Sequence, residues 1–329
     1  MCVATSTGKR ASVQPSPPWP IASWGPIRRG SSIRCRPGWR GGGPWGCRWM
    51  SEHGLPYRKI AIAGGSRGIG AALARALAAP GRQIALAARV AGQLERTAQD
   101  LRRRGAEVSC RAGDLSRPGA AADWLQAISR DNPPELLIIA MGLFGGRPAA
   151  GQPVPEAVSR RVIEVNLTGA IALAEAAAVR MRQAGQGRIV LISSLAARDP
   201  LPDAAAYSAA KAGLSNYAAA LRTELAGSGV SVLLVEPGHV ETRQAAQQVT
   251  QEAKPLPMIV PVEQAAERIL RAVARGRSRL VFPRRAALAL ALLNALPRRW
   301  RAALMRDQRF TVDNGPLQPE EAPRPPCNG

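Results

Sequence analysis

The sequence predicts a doubly wound α/β fold, in which helices cover both faces of a mainly parallel sheet. Three observations predict it: short apolar runs alternate with helical patterns from residue 58 onward, most of these runs lack polar alternation, and the first ends in a glycine-rich turn before a helix. Continuously apolar strands belong to parallel sheets buried on both faces. A single domain over residues 51–283 accounts for these elements.

The expected elements follow one another in a regular order, separated by breakers such as Pro80-Gly81 and Pro133-Pro134. We expect a strand at each short apolar run and a helix where apolar residues recur every three to four positions. This predicts strands at 59–63, 83–88, 107–111, 135–140, 187–194 and 230–236, with a final edge strand at 279–282. It predicts helices at 69–79, 94–104, 120–129, 156–183, 205–226 and 262–274.

The formal net charge of +22 raises the question of a nucleic-acid partner. Residues 1–51 carry eight Lys and Arg and no acid, and residues 271–309 carry eleven Arg against one Asp. The rest of the 329-residue chain therefore holds only 22 − 8 − 10 = +4. Because the excess charge lies at the two ends, no nucleic-acid partner is predicted for the domain.

The five cysteines match no disulfide framework, which predicts a reducing, cytoplasmic setting. The only histidines are His53 and His239. A histidine-based catalytic triad and a Cys/His zinc site are therefore not expected, and no metal is predicted.

The two ends of the chain differ from the domain in composition. Residues 1–50 are rich in Gly, Pro, Arg and Ser and show neither helical nor strand periodicity. Three explanations stay open: an extension that is not normally translated, with Met50 as the working start, which we favour; a transit peptide; or a disordered tail.

Residues 284–310 are expected to form a basic, apolar helical segment, and residues 311–329 a disordered tail. The apolar run 286–296 lies between arginines and is too short to span a bilayer. It fits a helix packed on the domain or on a second subunit, and it also fits peripheral membrane contact through residues 284–301.

The turn after the first strand has the chemistry of a phosphate cradle. Glycines permit tight backbone conformations and close approach of a pyrophosphate, and the following helix presents unpaired N–H groups to the anion. The predicted cofactor-binding residues of this turn are Gly64, Ser66, Arg67, Gly68, Ile69 and Gly70, in the spacing Gly-x-x-x-Gly-x-Gly.

The end of the second strand favours NADP over NAD as the cofactor. An acidic residue there would bind the ribose 2′-hydroxyl of NAD, whereas this chain has Arg89, with Arg67 in the turn nearby. Two guanidinium groups can bind one 2′-phosphate.

Tyr207 and Lys211 lie four residues apart, hence on one helix face. A lysine cation stabilises tyrosinate, so we expect Lys211 to lower the pKa of Tyr207 and to favour proton exchange. Ser194, thirteen residues before Tyr207, ends a strand where open α/β sheets place their ligands. Its hydroxyl could hydrogen-bond a substrate oxygen.

Residues 58–242 resemble, in order, the short-chain dehydrogenase/reductase family, which has a Rossmann-type fold. The resemblance implies that Ser194 polarises the substrate, Tyr207 donates the proton, Lys211 grips the cofactor and Asn166 holds a water in the proton relay. It further implies cofactor contacts from Asp114 and Leu115 after the third strand. It also implies that the loop after the sixth strand contacts the cofactor, through Pro237, Gly238, Val240 and Thr242.

The chain departs from the family pattern at Ile139-Ala140-Met141-Gly142, where the family commonly has Asn-Asn-Ala-Gly, and at Ala63, where it has threonine. The resemblance implies an NADPH-dependent oxidoreductase acting on a carbonyl or alcohol. The chain's many Ala and Leu residues allow a lipophilic substrate. A homodimer or homotetramer paired through the two long helices is expected. The alternative is a catalytically silent NADP-binding sensor or scaffold.

Overall fold

A seven-stranded parallel sheet organises the chain. This computed structural model describes residues 55–130, 132–149, 151–242, 249–251 (backbone only), 258–297, 299–300 and 311–314, all within one compact unit, Gly41–Gly329. The strands of the sheet are β1 Lys59–Ala63, β2 Gln83–Ala88, β3 Glu107–Ala112, β4 Leu136–Ile139, β5 Gly187–Ile192, β6 Val230–Pro237 and β10 Arg279–Phe282. Their order in the sheet is β10-β6-β5-β4-β1-β2-β3. All their pairings are parallel, which confirms the predicted doubly wound fold.

Helices pack on both faces of this sheet. They are α1 Gly68–Leu77, α2 Ala91–Arg103, α3 Ala120–Ile128, α4 Glu156–Ile163, α5 Gly169–Gln183, α6 Ala205–Glu224, α7 Val262–Ala274 and α8 Arg284–Ala295. One core cluster joins α1, α2 and α7 to one face, through residues such as Leu73, Leu94 and Ile269. A second joins α3, α5 and α6 to the other face, through Trp124, Leu173 and Leu221.

The predicted helix 156–183 contains a change of winding. A π-helical turn, Glu164–Thr168, separates α4 from α5 without a break. This stretch is long and apolar enough to cross a membrane by length and composition, with a mean hydropathy of 1.6 over an 18-residue window. Helices buried in a globular core meet the same criterion, and half of this stretch is buried against the sheet and its neighbours.

Most other bounds differ from expectation by one to three residues at the element ends. The first helix begins at Gly68 and ends at Leu77, because Ala78 is already extended. The fifth strand ends at Ile192, two residues early, since Ser194 instead precedes a short 3-10 turn, Leu195–Ala197. The last helix of the domain, α7, spans the predicted residues.

The predicted disorder of residues 311–329 is wrong for residues 311–314. Thr311–Val312 forms β11, which pairs antiparallel with β8 Val249–Gln251, and the Val312 N–H donates to the Arg147 carbonyl at 2.8 Å. The Asn314 side chain binds both backbone groups of Gly146, at 3.2 and 2.7 Å. Tertiary hydrogen bonds thus order a segment that has no helical or strand pattern of its own.

Three sequence predictions lie partly or wholly outside the described residues. These are the nature of residues 1–50, the helical continuation over 301–310 and the disorder of 315–329.

A second small sheet pairs β7 Val240–Glu241 with β9 Val260–Pro261.

We expect Asn314→Ala to destabilise the fold by about 1–3 kcal/mol, because it leaves the buried backbone groups of Gly146 without partners. Urea denaturation followed by circular dichroism measures the change. The matched control is Asn294→Ala, which removes one exposed 3.4 Å hydrogen bond and should change stability little. Equal stability of wild type and Asn314→Ala would contradict the ordering of this segment.

Candidate active site

The glycine turn lies at the carboxyl end of β1, between β2 and β4, where the strand order reverses. Its backbone is pressed against its neighbours: a Cβ on Gly64 would lie 2.6 Å from the Met141 nitrogen, and one on Gly70 would lie 2.2 Å from the Gly64 carbonyl oxygen. Gly64 also has a left-handed φ of +84°. Only glycine fits at these two positions, so the turn keeps the close backbone approach that a pyrophosphate requires.

The N-terminus of α1 has the polarity expected of an anion site. Arg67 occupies the N-cap and makes no side-chain cap hydrogen bond among the described residues, so backbone N–H groups of the first turn remain for an anion. The Thr97 hydroxyl donates to the Ser66 carbonyl at 3.3 Å and ties the turn to α2. A Cβ on Gly68 would lie 3.4 Å from Thr242 Cγ2, so the loop after β6 reaches the same turn.

Three guanidinium groups lie near the ends of β2 and β3. Burial lowers the pKa of Arg89, and the positive charges of Arg161 and Arg67 lower it further. Arg161 forms an ion pair with Asp114, whose pKa is held low, against the effect of burial, by hydrogen bonds from Ser116 and by Arg161. The sequence prediction placed Arg67, Arg89 and Asp114 here but missed Arg161, because α4 carries no signal for such a contact.

Asn166 is fully buried in the π-helical turn and is held by three hydrogen bonds. Its Nδ2 donates to the carbonyls of Leu143, at 2.7 Å, and Val162, at 2.9 Å, while its Oδ1 accepts from the Leu143 N–H at 3.3 Å. The π turn rotates the helix locally and aims this side chain at the loop after β4; such turns recur at functional sites.

The residues predicted for catalysis come together at the ends of β5 and α6. The Ser194 hydroxyl hydrogen-bonds Tyr207 and also accepts from the Ala196 N–H at 3.1 Å. Lys211 Nζ donates to the Ile192 carbonyl at 3.0 Å and lies 5.8 Å from the centroid of the Tyr207 ring. The phenol, hydroxyl and ammonium groups therefore lie close together where β5 ends and α6 begins.

The expected lowering of the Tyr207 pKa is wrong for this arrangement. Burial raises that pKa, and the hydrogen bond from Ser194 offsets the rise only in part. The ammonium of Lys211 faces the ring, and its own pKa falls to about 8 because burial disfavours the charged form. Tyr207 consequently carries its proton at neutral pH and is set up as an acid.

The segment 139–142, which departs from the family pattern, still brings Gly142 against both Asn166 and Lys211. A Cβ on Gly142 would lie 3.0 Å from Asn166 Oδ1 and 3.7 Å from Lys211 Nζ, so both polar groups converge on this glycine. Ile139 and Ala140, which stand where the family pattern has its two asparagines, pack in the two apolar clusters of the sheet instead. Apolar packing thus takes the place of the polar bracing that the resemblance led us to expect.

Sequence reasoning missed a buried carboxylate beside the loop of Pro237 and Gly238. Glu236 is the penultimate residue of β6, with a side chain that is 1% exposed. It accepts hydrogen bonds from Arg198, at 2.7 and 3.3 Å, and from Arg279, at 2.7 and 3.0 Å. These bonds hold its pKa below the usual range although burial acts in the opposite sense. Glu236 thereby links the segment after Ser194 to the edge strand.

The remaining predicted cofactor residues surround the turn. Leu115 is buried after β3, Ile69 is partly buried in α1, and Pro237 is buried at the end of β6. The Gly238 N–H donates to the Phe282 carbonyl at 2.7 Å, and Val240 begins β7. Within the described residues, no group of three or more His, Cys, Asp or Glu side chains is placed to hold a metal ion.

The family model described as "short chain dehydrogenase" matches residues 58–253, more than half of the chain. The chain belongs to this family. A Myxococcus xanthus protein called an uncharacterized oxidoreductase is 30% identical over 243 residues, covering 74% of this chain and 94% of its own. This short-chain dehydrogenase is thus an oxidoreductase.

Two further relatives bear on the chemistry. A putative ketoacyl reductase of Streptomyces coelicolor is 35% identical over 188 residues, covering 56% of this chain and 71% of its own. A solved short-chain dehydrogenase of Sphingobium yanoikuyae, in complex with NADPH, is similar with a TM-score of 0.62 and 28% identity, over 80% of this chain and 98% of its own. The glycine cradle and the free helix terminus of this short-chain dehydrogenase fit a nicotinamide cofactor.

We expect Glu236→Gln to lower stability at neutral pH by about 1–3 kcal/mol, because two guanidinium groups lose their charged partner. The folded-state pKa of Glu236 lies below its ordinary value of 4.5, so its stabilisation is full above that pH and is lost as the pH falls through the folded value. Urea unfolding from pH 7 to pH 3 measures both effects.

The matched control for this prediction is Glu156→Gln, which removes a carboxylate from a highly exposed ion pair with Arg160 and should change stability little. If Glu236→Gln matched this control across the pH range, the buried carboxylate would have no stabilising role.

Proposed function

We propose that the protein is an NADPH-dependent reductase of ketone or aldehyde groups, with a keto-acyl or similarly lipophilic carbonyl compound as substrate. The observation that carries this proposal is the contact of the Ser194 and Tyr207 hydroxyls at a site where Lys211 and Asn166 converge. The similarity to a putative ketoacyl reductase supports the substrate class.

Ser194 and Tyr207 divide the work on the substrate oxygen. The Ser194 hydroxyl donates a hydrogen bond that polarises the carbonyl, and both hydroxyls stabilise the charge that develops on its oxygen. Tyr207, protonated because burial raises its pKa, donates the proton that completes the alcohol. The nicotinamide cofactor, when bound, supplies the hydride.

Lys211 and Asn166 support that proton transfer. With a pKa of about 8, Lys211 is mostly charged at neutral pH, and its positive charge stabilises the tyrosinate as the proton leaves. Asn166 fixes the Leu143 backbone, and the next residue, Phe144, packs edge-on against Tyr207 with ring centroids 5.0 Å apart. This packing gives the phenol a single orientation beside an apolar wall.

The arginines at the ends of β1 and β2 select the cofactor. Burial lowers the pKa of Arg89, and the nearby charges of Arg161 and Arg67 lower it further, whereas Asp114 acts in the opposite sense. Asp114 is already paired with Arg161. A 2′-phosphate would relieve the mutual repulsion of the arginines, whereas the ribose hydroxyl of NADH would not.

For the assembly, we propose a homodimer or homotetramer paired through the helices α4–α5 and α6. Val179 on α5 is 56% exposed, which gives this surface an apolar residue to bury. The free, exposed Cys110 is consistent with a reducing, cytoplasmic setting.

We expect Tyr207→Phe to lower kcat by at least about a hundredfold, since it removes the proton donor, while NADPH binding is retained. Turnover with a keto-acyl thioester and fluorescence titration of NADPH measure the two effects. The control is Tyr217→Phe on the same helix, whose hydroxyl binds only Glu175 among the described residues and should leave kcat unchanged. Full turnover by Tyr207→Phe would refute the assignment of the proton donor. A wild type that binds NADPH but shows no turnover would favour a silent NADP-binding protein.

We expect Arg89→Ala to weaken NADPH binding about tenfold to a hundredfold, as for loss of a charged hydrogen bond, with NADH binding unchanged. Fluorescence titrations of both nucleotides measure the selectivity. Arg96→Ala, an exposed arginine on α2, serves as the control. Equal weakening for both nucleotides would show that Arg89 does not read the 2′-phosphate.

A further inference from the structure

We propose that α8, with the arginines at its two ends, docks into the headgroup region of an anionic lipid bilayer. The proposal concerns a surface outside the catalytic pocket and goes beyond the proposed reductase activity. It rests on an unpartnered apolar helix face, on the charge around that face and on the length of the helix.

The helix α8 is apolar on both of its sides. Ala286, Ala287, Leu290 and Leu293 are partly buried, which identifies the side that faces the domain. Leu288 and Leu292 lie one turn apart on the opposite side and are 62% and 63% exposed, followed by Leu296 at 37%. None of the twelve residues of α8, all of them described, is fully buried, so a row of leucines faces outward.

The charge at both ends of this row identifies an anionic partner. Residues 284–301 contain five arginines and no acidic residue. Arg284 and Arg285 are exposed at the start of the helix, and Arg299 and Trp300 are exposed after its end. Arginine and tryptophan can keep their polar groups among headgroups while their apolar parts enter the acyl boundary.

The length of the helix places it in the membrane plane. Twelve residues extend about 18 Å, well short of the roughly 30 Å hydrocarbon core. A helix with leucines outward and arginines at both ends therefore lies along the interface rather than across it.

Two other occupants fit the same surface less well. A second copy of the chain, related by a two-fold axis, would bring these arginines together without any acidic residue from 284–301 to pair with them. Nucleic acid would satisfy the arginines but not the exposed leucines. Anionic lipid satisfies both.

The test is co-sedimentation of the purified full-length protein with phosphatidylcholine vesicles, with and without phosphatidylglycerol. We expect binding to the phosphatidylglycerol vesicles that weakens as salt is raised. Arg284→Gln/Arg285→Gln should weaken it about thirtyfold, from about a fivefold effect per arginine. Leu288→Ser/Leu292→Ser should weaken it about tenfold or more, since less apolar surface enters the membrane.

A control variant on another surface, Arg103→Gln/Arg104→Gln on and after α2, should bind like wild type. Retained NADPH binding and an unchanged circular dichroism spectrum show that the α8 variants are folded.

Vesicle binding that is equal with and without phosphatidylglycerol, or that both α8 variants retain, would overturn the proposal. A fall in molecular mass of Leu288→Ser/Leu292→Ser by light scattering would assign the surface to a second copy. Binding of a DNA duplex that needs the arginines but not the leucines would assign it to nucleic acid.

Discussion

The contact between the glycine turn and the end of β4 is the constraint on which the site depends. The missing side chains of Gly64 and Gly70 let the turn fold back on itself and lie against the backbone of Ala140 and Met141. Any Cβ at these positions would push the first helix away from the sheet. The same contact fixes the segment that leads to Gly142, and through it the distance between the glycine turn and the proposed catalytic groups.

Polar groups around Gly142 are held in place by hydrogen bonds to the backbone rather than to one another. Asn166 binds the Leu143 backbone and Lys211 binds the Ile192 carbonyl, so each is fixed by a different strand end. Burial then sets their chemistry: it lowers the pKa of Lys211 and raises that of Tyr207. Tyr207 therefore keeps its proton beside a lysine of lowered pKa, and desolvation accounts for this more than a direct interaction between the two groups does.

Among the described residues, arginine charges are neutralised at one end of the site and left without a carboxylate partner of their own at the other. Beside the proposed catalytic residues, Glu236 neutralises two arginines and joins three segments of chain. Near the ends of β1 and β2, the positive groups Arg67 and Arg89 repel each other, and Asp114 is engaged by Arg161. The first arrangement contributes to stability, whereas the second leaves positive charge available to an anion.

The sequence by itself determined the order of the elements, the parallel sheet, the glycine turn and the positions of Ser194, Tyr207 and Lys211, because these depend on local periodicity and on fixed spacing. Only the tertiary structure decided what depends on contacts between distant segments. These are the π turn that aims Asn166, the pairing of Arg161 with Asp114, the burial of Glu236 and the ordering of Asn314 by Gly146. The pKa of Tyr207 belongs to the same group, because desolvation is a property of the whole surrounding fold and no spacing of residues encodes it.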